Sequence, residues 1–409
     1  MRQDCLLIDT AKIDLFDLDV ANKTVTVATS MTGGRLNQLL TGSKAGLSFM
    51  GGHCPDVGLG GFLLQGGQGW GCRYAGWACA NIESMRVVLP SRPDCAVTCS
   101  RTENADVFWA ARGSGPGFFG VVTSFTLRLR TIPSMHGSVY FFDTDPCYDE
   151  LALWYLKKCR EIDGNLELVM IGFRSEHVLP HLDPPRNVLL IRPLVFDVTD
   201  KEAEDKLLEF ERGMPFVGTA HNHLRVFNET SSFAIEYQRQ WDDNPIGRYW
   251  TQNAWLDGPL EKVADSMRWS YHNIPSKSTF VLHYSMDTIK RPPLPKDMCF
   301  DIQSDHTFSI YSIAPPDTTS QDEACSNYVH TAFEGIDSRG PQEGGPVGIY
   351  LGDSDLAVRR ARYMGDENWA RFKELRQIYD PERRMVGYDG EDELPTWNKN
   401  PWELRTSSL

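Results

Sequence analysis

The chain has 409 residues, 41% of them hydrophobic, and a formal net charge of -14, which is long enough for two or more cores and expected of a globular, multi-part enzyme. With no concentrated basic patch, that negative balance argues against nucleic acid or an anionic membrane surface as a partner. No stretch reaches roughly 18 uninterrupted apolar residues, and Met1 to Phe16 lacks the basic start, apolar segment and cleavage site of a secretory signal, so a cytoplasmic location is expected of the sequence as written.

Thr24-Val25-Thr26-Val27 alternates as a strand does, and Gly33 to Leu40 reads as a short helix with Leu36, Leu39 and Leu40 on one side. Then comes Gly51-Gly52-His53-Cys54-Pro55-Asp56-Val57-Gly58-Leu59-Gly60-Gly61, running on into Gln65-Gly66-Gly67-Gln68-Gly69-Trp70-Gly71. Each glycine costs backbone entropy on folding, so such a run implies that something approaches the main chain closely. Exposed N–H groups with no side chains in the way suit a pyrophosphate or the polar edge of a flavin. Cys54 sits beside them as a candidate nucleophile.

Ser84 to Leu89 and Cys95 to Cys99 read as two strands joined through Pro90 and Pro93. Asp106 to Arg112 reads as a compact helix, Gly113-Ser114-Gly115-Pro116-Gly117 as a tight turn, and Phe125, Leu127 and Leu129 alternate along an amphipathic strand. Beyond Pro133, strands are predicted at Leu166 to Arg174, Asn187 to Asp197, Ser278 to Met286 and Phe308 to Ala314. Helices are predicted at Tyr148 to Arg160, Lys201 to Arg212, Leu260 to Trp269 and Gln321 to Phe333. That succession argues for one antiparallel sheet with helices on a face, the natural wall of a substrate pocket. Gly335 to Gly348 reads as a linker, and the helix Glu367 to Tyr379 is stopped by Asp380-Pro381.

The ten cysteines lack the dense framework of a small secreted domain. Most are expected to be free and partly buried. His53, Cys54, Cys72 and Cys79 do not have the intervals of a zinc ribbon, and Cys95 and Cys99 have no second pair after them, so no metal is expected. A dinucleotide fingerprint fails on context, because a second glycine cluster stands where its helix and acidic residue belong. A phosphate-loop Gly-Lys-Ser/Thr is missing too. The glycosylation patterns at Asn22 and Asn228 are short enough to arise by chance, and Ser407-Ser408-Leu409 resembles a peroxisomal address only faintly.

Taken together, Gly52-His53-Cys54-Pro55-Asp56-Val57-Gly58, Gly60-Gly61, Gly66-Gly67-Gln68-Gly69-Trp70, Asp106 to Gly113 and Gly117-Phe118-Phe119-Gly120-Val121-Val122-Thr123 resemble the flavin-binding domain of the vanillyl-alcohol-oxidase superfamily. Within it the chain is similar to berberine-bridge-enzyme-like and 6-hydroxynicotine-oxidase-like FAD-linked oxidoreductases. Gly348 to Asp353, Tyr363, and Asn368-Trp369 to Tyr379-Asp380-Pro381 look like the berberine-type C-terminal segment. The resemblance covers almost the whole chain.

It implies an α+β protein: a PCMH-type FAD-binding domain over residues 1–133, a substrate-binding domain with a helix-covered antiparallel sheet over 134–345, and a segment, 346–409, that returns to the FAD domain. It implies that Asp56, Val57, Gly58, Gly60 and Gly61 line the pyrophosphate and ribityl chain, with Gly66, Gly67 and Gly69 behind them. Gly120 and Val122 would approach the flavin by backbone, and Asn368 is placed among the cofactor residues. Cys54 matches the family cysteine that can bond to flavin C6, against an ordinary buried thiol. The implied reaction is hydride transfer from a small organic substrate to flavin N5, with molecular oxygen as acceptor. Many relatives supply a catalytic tyrosine from a Tyr-x-Asn-Tyr/Phe pattern; here the corresponding residues are Tyr350-Leu351-Gly352-Asp353, so Asp353 becomes the candidate base, against a solvated loop aspartate. Tyr350 is the second catalytic candidate and also a candidate pocket wall. His53 is read as a flavin contact or a satisfied structural histidine. His283 and Tyr284 share a strand, so only one of them should face substrate.

Relative to the family pattern, Leu6-Leu7-Ile8-Asp9 stands where about sixty residues are expected to precede it. The resemblance therefore implies an N-terminally shortened flavin module without the Gly-Gly-His loop that often gives a second covalent link. The alternative to an active oxidase is an impaired paralogue with a binding or regulatory role. A nicotinamide dehydrogenase has only glycine richness behind it.

Overall fold

The structure is a computed structural model that describes residues 5–162, 164–243, 245–286 and 294–388, with backbone only for 241–243. Ser407-Ser408-Leu409 lies outside the described residues.

The first half begins with the strands β1 (Phe16–Asp19) and β2 (Thr24–Ala28), followed by helix α1 (Gly33–Gly42) and the short strand β3 (Leu47–Ser48). Thr32 caps α1, its hydroxyl accepting from the Arg35 N–H, and Leu36 and Leu40 are buried beneath it. Helices α2 (Leu59–Leu64) and α3 (Cys72–Ala75) follow within the glycine region. Then come β4 (Ile82–Leu89), β5 (Arg92–Ser100), α4 (Ala105–Ala111), β6 (Val121–Arg128) and β7 (Arg130–Thr131). The strands form a five-stranded sheet in the order β1-β2-β6-β4-β5, while β3 pairs with β7. Val25, Val27, Phe125 and Leu127 alternate onto one face and are fully buried.

The second half opens with β8 (Met135–Asp143), α5 (Thr144–Glu161), β9 (Leu166–Arg174), α6 (Ser175–Val178), β10 (Asn187–Phe196) and α7 (Asp200–Glu211). It continues through β11 (Asn222–Ser231), α8 (Phe233–Asp243), β12 (Arg248–Leu256), α9 (Leu260–His272), β13 (Phe280–Ser285), β14 (His306–Ala314) and α10 (Asp322–Asp337). Finally β15 (Pro346–Gly348) adds to the sheet edge and α11 (Asp366–Tyr379) closes the described chain. The large sheet is antiparallel throughout, in the order β11-β8-β10-β9-β13-β14-β12-β15. Alternation splits its two faces. Leu168, Met170, Val281, Phe308 and Ile310 pack with residues of α5, α9 and α10. The opposite face, carrying Glu167, Tyr284 and Tyr311, is turned toward the glycine region.

Each predicted strand and helix coincides with an observed one, with ends that overrun it by no more than about two residues, and among the longer elements β8, β11, β12 and α8 are not predicted. β11 is an edge strand interrupted by two bulges and mostly half-exposed, so it has no clean alternation to read. β12 buries Gln252 and Asn253 next to each other, which hides its period. The predicted linker Gly335 to Gly348 needs correction: α10 runs into it and β15 ends it. Gly344 and Gly345 are tightly packed there, since a Cβ would come within 2.3 Å of the Lys262 carbonyl oxygen and 2.2 Å of that of Arg339.

The tail packs onto the first half. The Tyr379 hydroxyl donates to Asp106 on α4 at 2.7 Å, and its ring stacks on Phe119 at 5.6 Å between centroids. A buried Arg359–Asp337 ion pair ties the preceding segment to α10, the guanidinium also donating to the Asn253 carbonyl at 2.8 Å.

Candidate functional site

The glycine region is held by short-range backbone exchange with the start of α1. The amides of Gly33 and Gly34 donate to the carbonyls of Val57 and Pro55, and those of Leu59 and Gly60 donate to Met31 and Thr29. The carbonyls of Cys54, Met31 and Thr29 therefore take up the amides of Val57, Leu59 and Gly60. No described residue accepts from Gly58 or Gly61. A Cβ on Gly61 would meet nothing within 4 Å, and one on Gly58 only the Thr29 oxygen at 4.0 Å. Asp56, Val57 and Gly61 are exposed around them. This is an uncovered strip of main chain beside a cysteine, the kind of edge a pyrophosphate and flavin require, so the residues present fit FAD.

The second cluster is explained differently. A Cβ on Gly67 would lie 2.7 Å from the Ala78 methyl, and one on Gly69 only 2.1 Å from the Gly51 carbonyl oxygen. Gly66 and Gly67 also have φ of +110° and +79°. Protein atoms already fill the space these three glycines leave. Gly120 likewise faces Val87 at 2.7 Å, and Val122 is buried in the same core. Asn368 donates to the Cys299 carbonyl at 3.0 Å and thereby fixes α11.

Cys54 is half-buried at the rim of the strip. Its thiol is pushed up to about 11, by burial first and then by the carboxylates of Asp353 and Asp56. Tyr237, Tyr249 and Tyr311 lie within electrostatic range of the sulfur. Asp353 is half-buried at the end of a short turn after Tyr350, and burial raises its pKa against the opposing influence of the Tyr311 hydroxyl and His53. The Tyr311 hydroxyl faces that carboxylate as a hydrogen-bond partner. Tyr350 is buried; its hydroxyl accepts from the Gln68 N–H at 3.2 Å, and burial drives its pKa far up.

His53 points the other way, into the sheet. Its Nε2 lies 3.0 Å from Oε1 of Glu167, whose Oε2 accepts from the Gly71 N–H at 2.6 Å and from the Tyr284 hydroxyl at 2.8 Å. Although burial opposes ionisation of Glu167, the His53 partner and these donors hold its pKa below the usual glutamate value. Trp70 packs on the imidazole at 4.3 Å. Strand alternation separates the two candidates on β13: Tyr284 faces the glycine region, while His283 faces the helix layer, 3.4 Å from the Tyr155 hydroxyl.

The sequence reading did not single out Glu167 or Tyr311. A signal for Glu167 was present, since it is the charged residue inside the apolar run Leu166-Glu167-Leu168-Val169-Met170. Tyr311 looks like any half-buried strand aromatic, and only the fold brings it to Asp353. None of the ten cysteines is in a disulfide. Among the described residues no cluster of His, Cys, Asp or Glu is suited to a metal ion, and no helix is long and apolar enough to cross a membrane.

Residues 1–91 match the family described as FAD binding domain. Over 383 residues the chain is 30% identical to the FAD-linked oxidoreductase penO of Penicillium crustosum, covering 93% of this chain and 80% of that one. Among solved structures it is similar to BBE-like 1 of Physcomitrella patens, with a TM-score of 0.74 at 16% identity over 94% of this chain and 80% of that one. It is also similar to 6-hydroxy-D-nicotine oxidase of Arthrobacter nicotinovorans, with a TM-score of 0.74 at 18% identity over 93% and 81%. At these identities the two structures show the fold alone.

Proposed function

This chain belongs to the FAD-linked oxidoreductases, and from that premise we propose that it oxidises a small organic molecule of secondary metabolism, with Asp353 as the base and molecular oxygen as the final acceptor. FAD is the cofactor; when bound it would supply an acceptor for the substrate hydride and a path for the electrons to oxygen. Cys54, Gly58 and Gly61 would hold it, with Cys54 as the covalent tether.

One observation carries the reading. The Cys54 thiol, the Asp353 carboxylate and the Tyr311 phenol converge where the uncovered glycine strip meets the open face of the large sheet. Asp353 accepts the proton of the substrate O–H or N–H as the adjacent C–H is broken. Its pKa, raised by burial, brings it closer to the operating pH, where a general base is most effective. Tyr311 orients the carboxylate and donates to it. Tyr350, held by Gln68, walls the pocket.

The test is the rate of flavin reduction under anaerobic single turnover with a panel of alcohols and amines. Asp353→Asn is expected to slow reduction by about 10²- to 10⁴-fold, the usual contribution of a positioned base, with flavin content unchanged. Tyr311→Phe should slow it less and shift the pH profile. Equal rates in wild type and Asp353→Asn would remove Asp353 from the chemistry.

A further inference from the structure

Two cross-strand rows rise from the open face of the large sheet beside Asp353. In the outer row Phe280 pairs with Tyr311, which pairs with Thr251, and Phe173 stands next to Phe280 on β9. The Phe280 and Tyr311 rings are stacked, 4.6 Å between centroids and 19° between planes, and Phe173 follows at 6.1 Å and 37°. The inner row runs Ile171, Leu282, Ser309. Phe173, Phe280, Tyr311, Ile171 and Leu282 are all only partly buried, which is unusual for a contiguous apolar surface and typical of a ligand face.

The polar inventory of these rows is small. Hydroxyls come from Tyr311, Thr251 and Ser309, of which Ser309 is 2% exposed. The charges elsewhere on the same face are already answered: Glu167 by His53, Arg192 by Glu236, and Asp143 by His221 and His223. A saccharide laid here would leave most of its hydroxyls without partners, and an ionised group would be desolvated without a counter-charge; both cost more than the contact returns. A flat apolar ring system loses nothing by leaving water and gains edge-to-face contact with the row of rings, whose own faces are turned to one another. The row crosses three adjacent strands, a width of about 10 Å, which matches two or three fused rings.

We propose that the substrate is an uncharged, largely apolar fused-ring molecule that lies on Phe173, Phe280 and Leu282 and presents one hydroxyl or N–H to Asp353. This rests on the reading of Asp353 and Tyr311 as the reacting end of the site. Phe280 and Leu282 then set specificity without touching the proton transfer.

Equilibrium binding of 2-naphthalenemethanol, cellobiose and 2-naphthoate to the flavin-loaded protein tests it, with the flavin content of each sample measured alongside. The alcohol is expected to bind at least about tenfold more tightly than either of the others, and Phe280→Ala to weaken it by about tenfold, the worth of a lost aromatic contact. Leu282→Ser, which leaves the ring row in place, should weaken it too, and serves where Phe280→Ala does not fold. Preference for cellobiose or naphthoate, binding of none of the three, or unchanged affinity in both variants would overturn the proposal. Aromatic binding retained by protein that holds no flavin would instead strike at the flavoenzyme reading and leave the ring platform standing.

Discussion

A carboxylate with 3% of its surface exposed, as Glu167 has, is stable only if its charge is answered by donors. It receives them from His53, Gly71 and Tyr284, so one side chain of the large sheet fixes both glycine clusters. Removing it leaves the His53 imidazole and two further donors without their acceptor. Glu167→Ala is therefore expected to cost about 3 kcal/mol of stability, the low end for breaking a buried pair, read by urea unfolding. Glu167→Gln keeps an acceptor for Gly71 and Tyr284 and should cost less. If Glu167→Ala unfolds at the wild-type urea concentration, the clamp contributes nothing. Glycine substitutions separate the two clusters at the same scale. Gly69→Ala drives a Cβ into the Gly51 carbonyl and should prevent stable folding, whereas Gly61→Ala meets open space and should keep the thermal midpoint while weakening FAD binding. Equal effects of the two on flavin binding and stability would undo the division between packing glycines and cofactor glycines.

Among the elements, β13 and β14 bring two histidines together inside the helix-covered face. His283 and His306 lie 3.1 Å apart, both fully buried, and each has its pKa pushed down, His306 to about 4. Burial is the main cause for both, with His306 adding to the effect on His283 and Arg160 to that on His306, against Asp305 and Asp257. The unfolded chain takes up these protons near pH 6.5, whereas the folded chain takes up that of His306 only near 4 and that of His283 well below the usual histidine range. Their neutral burial thus contributes stability that is fully present above about pH 6.5 and is lost as pH falls toward 4, on the order of 3 kcal/mol for His306. Thermal midpoints measured across that window should fall, and should fall less in a His306→Gln variant. This pair could not be read from sequence, because His283 and His306 stand 23 positions apart and meet only through the β13–β14 register. The elements themselves were more legible: buried strands rich in apolar residues, such as β9 and β14, announce themselves, while β11 and β12 do not because bulges and buried amides break their period.

At the scale of the whole molecule, the two halves are joined through their chemistry. Tyr237 on α8 reaches Asn37 at 3.3 Å and stands against Gly33 and Gly51, so the second half braces the segment that leads to Cys54. The glycine strip, Cys54 and Asp353 were all visible in the sequence because their residue types are costly or reactive and stand in a recognisable order. What completes the site, Glu167 and Tyr311, was not, because a strand residue gains its role from the neighbour it faces and that neighbour comes from a distant part of the chain. On the proposed reading, this chain holds FAD on that strip with Cys54 as its tether. Acid precipitation of the FAD-loaded protein tests it most directly. The flavin absorbance should stay in the pellet of the wild type and pass to the supernatant with Cys54→Ala; wild-type protein that takes up no FAD, or equal retention in both, would contradict it.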